Sequence, residues 1–481
     1  MLPQDKDLIL KEKVKLYNNI GKINDCEGRL LAELEIYPTP RINWDFEIIG
    51  NVECDVPRSA AFQSVPLNPL KGYSFSIDEP FYSGDYSTVI GPVRAMRGST
   101  AQALYGDIDK TANIFTFYLP NTRFQLTSNG QKGLITQTTE TATGKQVELK
   151  TAGKCIDLPI DDTWNISLEI RNEALEWLKP ENRNIGTLIT TVGQLYQRKY
   201  KATEPETFSE LQTITLKDIL DRLKNLNWVL SYANGGYLGS LYVQGEQYTE
   251  DIFHHVITSC AVAQASQTTP LEQLGYSWIT SYSDLTDYLK CFSTFERMIQ
   301  KTFWKDTFEF VLNQYFQATR PMTWEITASS AGAALERLSY TILVEEEIDA
   351  TKKANYELLF DISKNKEAKQ YWNLLSKYQK TDEKYLSVTG IRLSLLLERI
   401  GLFCDINPDK IQSFLDVRND AVHPRVGTMT TEQRWTLIRQ AIQWIDEVLL
   451  WRIGYSGEYL DRSQGISINP RYDLSLRDSS W

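Results

Sequence analysis

The front of the chain alternates. In Ile42, Trp44, Phe46 and Ile48 every second residue is apolar, and Tyr73, Phe75 and Ile77 repeat the pattern. Leu30, Ala32, Leu34 and Ile36 follow it too, as do Trp164, Ile166, Leu168 and Ile170. A period of two describes strands with one face buried and one wet. Separated by Pro, Gly and Asn turns, these segments predict a sandwich or barrel-like sheet over roughly residues 20–175. The stretch from Gln137 to Thr151, rich in Thr, Gly and charge, predicts an exposed hairpin.

A polar connector around Lys199 to Glu206 follows. Beyond it Leu216, Ile219, Leu220, Leu223 and Leu226 recur at helical spacing, and the Gly235-Gly236 turn leads into Tyr237 to Val243, which reads as a strand. This mixed stretch, 176–284, either stands alone or completes the β-rich region.

From residue 285 the period changes to that of helices. Leu285, Tyr288, Leu289, Phe292, Phe295 and Ile299 form one apolar stripe, and Ala334, Leu338 and Ile342 a second. Tyr371, Leu374, Leu375 and Tyr378 give a third, and Ile391, Leu395 and their neighbours up to Ile400 a fourth. The clearest is Trp435, Ile438, Ile442, Ile445 and Leu449, opened by Thr430 and Gln433 at the spacing of a capping box. Stripes of this kind predict a helical bundle. The expected fold class is therefore α+β: a β-rich N-terminal domain (1–175), the mixed region (176–284), a helical domain (285–465) and a tail (466–481).

Composition narrows the function. A chain of 481 residues exceeds one hydrophobic core, and its apolar and charged fractions are those of a globular protein. No apolar run approaches a membrane span, so no membrane association is expected. The segment Met1 to Asp7 lacks the basic and apolar regions of a signal peptide. Cys26, Cys54, Cys155, Cys260, Cys291 and Cys404 are scattered without a CxxC pair. That pattern fits a reducing cytoplasm, with neither a disulfide framework nor metal-ligand spacing. No metal or cofactor is expected. A net charge of -11 argues against non-specific coating of nucleic acid, while leaving room for a small basic site.

Such a site is suggested by Arg418-Asn419-Asp420-Ala421-Val422-His423, in a chain with three His in all. Pro424 follows directly and Gly427 soon after, so the helix carrying Arg418 is expected to break near His423 and present it at a bend. RNA cleavage by internal transesterification needs a base for the 2′-hydroxyl, and imidazole suits neutral pH. It also needs a permanently charged planar fork for the phosphorane, which is the guanidinium of Arg. Asn419 is placed to bond the phosphate or fix the imidazole tautomer. Arg425, Arg434 and Arg439 add local positive charge, and Arg425 is the candidate for a further substrate contact. The structural alternative pairs Arg418 with Asp416 or Asp420 and leaves His423 to cap the following loop.

The remaining candidates favour structural roles. His254 and His255 lie in a mostly apolar run without an acid or Cys at ligand spacing. Gly235-Gly236 lacks the Lys-Ser/Thr of a phosphate loop. Glu336, in an otherwise apolar helix, is expected to pair with an Arg of the bundle. Trp44, Tyr73 and Trp164 would suit a carbohydrate-binding surface, but they fall on the apolar faces of their strands and read as core.

Arg418-Asn419-x-x-x-His423, set between bundle helices and ahead of a long last helix, resembles the ribonuclease motif of HEPN domains. The segment from Gly454 to Arg462 resembles the glycine-tyrosine segment that closes the HEPN domain of ApeA-like proteins. Ala333-Ala334-Leu335-Glu336-Arg337-Leu338 is similar to the first core helix of that subfamily, with its Glu at Glu336. The resemblance covers roughly residues 285–465, and Pro424 is a departure that the family pattern does not require. It implies a bacterial anti-phage protein acting by abortive infection: a metal-independent endoribonuclease cleaving cellular RNA, with tRNA favoured. Arg418, His423 and Asn419 would be catalytic and Glu336 supporting. The partners implied are RNA, a second copy of the chain in a homodimer, and a phage-encoded trigger or inhibitor. A non-catalytic HEPN scaffold that binds RNA or a nucleotide is the alternative.

Overall fold

A computed structural model describes residues 13–23, 26–36, 40–48, 67–70, 73–78, 95–100, 102–105, 108–122, 135–141, 144–150, 154–170, 187–197, 211–248, 256–279, 285–346, 408–423, 429–462 and 476–478. The fold is mixed α+β. The chain divides into two compact units, Met1–Leu274 and Gly275–Trp481.

The first unit begins with β1 (Lys13–Ile23), β2 (Cys26–Glu35), β3 (Arg41–Ile48), β4 (Leu67–Leu70), β5 (Tyr73–Asp78), β6 (Ala95–Thr100) and β7 (Gln102–Tyr105). It continues with β8 (Thr111–Ala112), β9 (Ile114–Pro120), β10 (Ile135–Thr141), β11 (Gly144–Lys150), β12 (Lys154–Pro159), β13 (Trp164–Ile170) and β14 (Ile189–Gln197). After β15 (Ile214–Thr215) comes the helix α1 (Leu216–Asn234), and β16 (Tyr242–Tyr248) and β17 (Val256–Gln264) close the unit. Among the described residues one antiparallel sheet has the order β1-β2-β3-β6. A larger one runs β12-β13-β14-β9-β16-β17-β7-β5-β4. The mixed stretch 176–284 thus contributes β14, β16 and β17 to the same sheet as β9 and β13.

Alternation locates most of these strands. Leu30, Ala32, Leu34 and Ile36 are all buried, as are Ile42 and Trp44. The expected hairpin is β10-β11, paired in register from Ile135 opposite Lys150 to Thr141 opposite Gly144. Two readings shift. The polar side of β13 is not wet: Asn165, Ser167 and Glu169 are buried along with Ile166 and Leu168. An interior strand between β12 and β14 is covered on both faces, so alternation there records polarity and not exposure. The strand expected at Tyr237–Val243 begins only at Tyr242. Before it the backbone N–H groups of Tyr237 and Leu238 bond Thr269 Oγ1 and Ser231 Oγ, which holds the chain in a loop.

Helix α1 is bounded as its sequence suggests. Thr215 Oγ1 accepts from the Asp218 N–H at the start, and Gly235, at φ 74°, ends it in the left-handed region.

The second unit contains α2 (Leu285–Lys290), α3 (Phe292–Ile299), α4 (Thr302–Thr319) and α5 (Trp324–Tyr340), the last continued by a π-helical turn, Thr341–Glu345. Then come α6 (Pro408–Val422), α7 (Thr431–Ile453) and the short strand pair β18 (Glu458–Leu460) and β19 (Leu476–Asp478). The stripe from Leu285 to Ile299 is buried throughout but is broken at Cys291 into two helices. The stripes at Tyr371–Tyr378 and Ile391–Ile400 lie outside the described residues.

Cross-contacts fix helix directions. Thr307 meets Thr341 at 2.6 Å and Gln317 meets Ser330 at 3.3 Å, so α4 and α5 are antiparallel. Arg434 lies over Trp324 at one end and Arg452 bonds Glu346 at the other, so α5 and α7 are parallel. Phe414 meets the ring of Trp444 edge-on at 6.3 Å, and only eight residues link α6 to α7, so these two are antiparallel. Thr430 and Gln433 form the expected capping box, with N–H to oxygen distances of 2.8 and 3.2 Å. Among the described residues no helix is long and apolar enough to cross a membrane.

Candidate functional site

Helix α6 starts at Pro408, whose missing N–H costs nothing in a first turn. Ile411, Phe414, Leu415 and Val417 are buried and pin the helix to its neighbours. Its other face carries the polar residues. The helix ends at Val422, and the His423 N–H still donates to the Asn419 carbonyl at 2.8 Å. His423 is exposed, as is Asn419 one turn before it. Pro424 and Arg425 lie outside the described residues, as do His254 and His255.

Arg418 is steered by α5. Its side chain crosses Gly332 so closely that a Cβ there would come within 2.8 Å of Arg418 Cγ. The guanidinium then reaches Glu336: Nη2 donates to Oε2 at 3.4 Å, and Nη1 donates to Asn419 Oδ1 at 3.5 Å. Both contacts are long and single. The Arg418 and Glu336 side chains remain 33% and 39% exposed, a setting in which an ion pair contributes about 0–1 kcal/mol. Of the acids weighed for Arg418, Asp416 instead accepts from Gln412 Nε2 at 2.9 Å, and the ion pair goes to Glu336. The structure therefore brings Glu336, Arg418 and Asn419 together and sets His423 at the end of the same helix. Glu336 is half-exposed, less buried than its apolar helix suggests.

Such a guanidinium is oriented but weakly engaged, so an incoming phosphate can take it over with a bidentate contact. The His423 side chain is open to solvent. Among the described residues no three His, Cys, Asp or Glu side chains gather as a metal site.

Two features of this unit escaped the sequence. The first is the stacking of Arg434 over Trp324, its guanidinium carbon 4.4 Å from the ring centre. The second is a buried polar network around the Gly454–Arg462 segment. Arg462 Nε donates to Asp446 Oδ2 at 2.7 Å, and its Nη2 donates to the Tyr276 carbonyl and to Tyr315 Oη, both at 2.8 Å. The Arg462 N–H donates to Gln443 Oε1 at 2.7 Å, and Gln443 in turn donates to Glu447 Oε1 at 3.1 Å. Both members of the ion pair are buried. Burial also pushes the Tyr315 hydroxyl well above the usual tyrosine range. The signal for this network was the pair Asp446-Glu447 inside the apolar stretch of the last helix.

The same segment turns tightly. Gly454 ends α7 at φ 74°. Tyr455 packs edge-on against Trp278 and Tyr288 and donates its hydroxyl to the Glu458 carbonyl at 2.9 Å. A Cβ on Gly457 would stand 2.5 Å from that hydroxyl, so only glycine fits beneath it.

A family model, the YopA C-terminal domain, matches residues 301–471, a span that includes α4 to α7 and Arg462. No curated protein and no solved structure matches the chain. Over that span, which holds every described residue of the candidate site, the chain is similar to the YopA C-terminal domain.

Proposed function

We propose that this chain is a metal-independent endoribonuclease of the HEPN type, with a β-rich sensor domain ahead of an all-α HEPN bundle. The observation that carries the reading is the pairing of an oriented, half-exposed guanidinium at Arg418 with an exposed imidazole at His423, five residues on. His423 takes the 2′-hydroxyl proton while the 2′-oxygen attacks the adjacent phosphorus. Arg418 leaves Glu336 and spans two phosphoryl oxygens as charge builds on them. The bond to the 5′-oxygen then breaks, an imidazolium returns a proton to that oxygen, and the products are a cyclic 2′,3′-phosphate and a 5′-hydroxyl. Asn419 supports the phosphate or the imidazole, and Arg425 extends the contact.

In this reading the chain acts in the cytoplasm as a homodimer whose two motifs share one cleft, as an isologous interface allows. It cleaves cellular RNA, with tRNA favoured, as abortive-infection defence against phage, and the sensor domain answers a phage-encoded trigger or inhibitor. A second reading, a non-catalytic scaffold that grips RNA or a nucleotide, is favoured by the Glu336 carboxylate already facing Arg418.

The test is incubation of the purified chain with total cellular RNA in EDTA, alone and with lysate of phage-infected cells. Discrete new ends are expected from the wild type. His423→Ala and Arg418→Ala are each expected to cut about 10²–10⁴-fold more slowly, with unchanged circular dichroism. Full cleavage by either variant would remove the role assigned to it, and binding without scission would select the scaffold.

A further inference from the structure

The antiparallel register of α6 and α7 places more than the motif at one end of the helical unit. Phe414 packs opposite Trp444. Nine residues on from Phe414 is His423, and ten residues back from Trp444 is Arg434, so His423 and Arg434 stand level along the bundle. Arg434 lies over the ring of Trp324, at the start of α5, with its guanidinium carbon 4.4 Å from the ring centre. Its Nε is buried without a hydrogen-bond partner, and among the described residues its side chain has no ion pair. Arg418, Arg337, Arg452 and Arg462 each face a carboxylate in the same unit. A guanidinium attracted to an indole face can be held in place there while its Nη donors meet a phosphate.

We propose that Arg434, held over the Trp324 ring, is a second phosphate-binding position that grips the RNA backbone beside the Arg418–His423 site. Its ligand is the phosphodiester of a single-stranded segment flanking the cut. Arg418 sits over Gly332, eight residues along α5 from Trp324. At about 1.5 Å per residue that is roughly 12 Å, or three to four nucleotides of a stacked strand at about 3.4 Å each. The proposal rests on the ribonuclease reading for its choice of RNA.

The test uses the full chain carrying His423→Ala, so that bound RNA stays intact, with a fluorescein-labelled single-stranded RNA of mixed sequence in EDTA. Binding is followed over a salt series. Adding Arg434→Gln is expected to weaken binding roughly tenfold and to lower the slope of log K against log salt by about 0.7. Arg434→Lys should recover most of the slope, and Trp324→Leu should lower affinity without removing a charge. Lys305→Gln, which removes an exposed positive charge on a different helix, α4, controls for net charge. Binding and slope unchanged in Arg434→Gln would overturn the proposal and leave the cleavage reading intact, as would an equal loss in Lys305→Gln. Binding that depends on Arg434 in a chain that never cuts RNA would uphold the grip and overturn the cleavage reading. No RNA binding at all would overturn both.

Discussion

Gly332 is a small residue with a large expected effect. In the interior of α5 it destabilises the helix by roughly 0.5–1 kcal/mol relative to Ala. Its missing side chain is the space that Arg418 crosses on the way to Glu336. Gly332→Ala is therefore expected to leave stability equal or slightly higher while displacing the guanidinium. RNA cleavage should fall at least tenfold while the thermal midpoint does not drop, and a variant that cuts normally would show that the crossing is irrelevant. The motif itself was legible as a spacing along one segment. Gly332 and Trp324 were not, because each meets its arginine across a long stretch of intervening chain, and local periodicity carries no record of such contacts. The same holds for Glu336: the sequence indicated an arginine partner for it but not which one.

At the level of elements, helix limits followed from local chemistry wherever a cap was written in the chain. The box of Thr430 and Gln433 opens α7 where the sequence placed it. Since α7 carries Arg434 in its first turns, fraying there would reach the candidate site before it reached the core. Thr430→Ala is expected to cost about 1 kcal/mol and to raise hydrogen exchange of the first α7 amides, with those near Trp444 unchanged. Uniform exchange along the helix would show that the box does not hold this end. Where the backbone departs from a regular helix, the sequence was silent. The apolar stripe runs through Cys291 without a sign of the break between α2 and α3. Nor does it mark the π-helical turn after Tyr340, which places Glu345 against Arg337 and Glu346 against Arg452. Both follow from tertiary pairing and not from propensity.

For the whole molecule, periodicity was sufficient to see sheets first and helices later, because period-two and period-3.6 patterns do not overlap for long. It could not show that strands from residues 189 to 264 complete the sheet begun before them, since strand order is decided by pairing partners. Nor did it reveal how the helical unit is locked after its last helix. There the buried Asp446–Arg462 pair joins α7, Tyr315 of α4 and the Tyr276 carbonyl. Removing one member leaves a charge in the core, at a cost of about 3–5 kcal/mol. Arg462→Met is expected to lower the unfolding free energy of the helical unit, read from urea titration, by that much, and adding Asp446→Leu to restore a good part of it. If the single variant unfolds like the wild type, the pair contributes no cohesion.

Arg462 lies downstream of every described helix, yet its side chain completes the contacts between two of them. A ribosome has therefore made every described helix before it makes the residue that ties α7 to α4. Until that residue emerges, α7 carries Asp446 without its counter-ion. The nascent helical unit thus carries its own delay, because the joint between α7 and α4 closes only once Arg462 has been added.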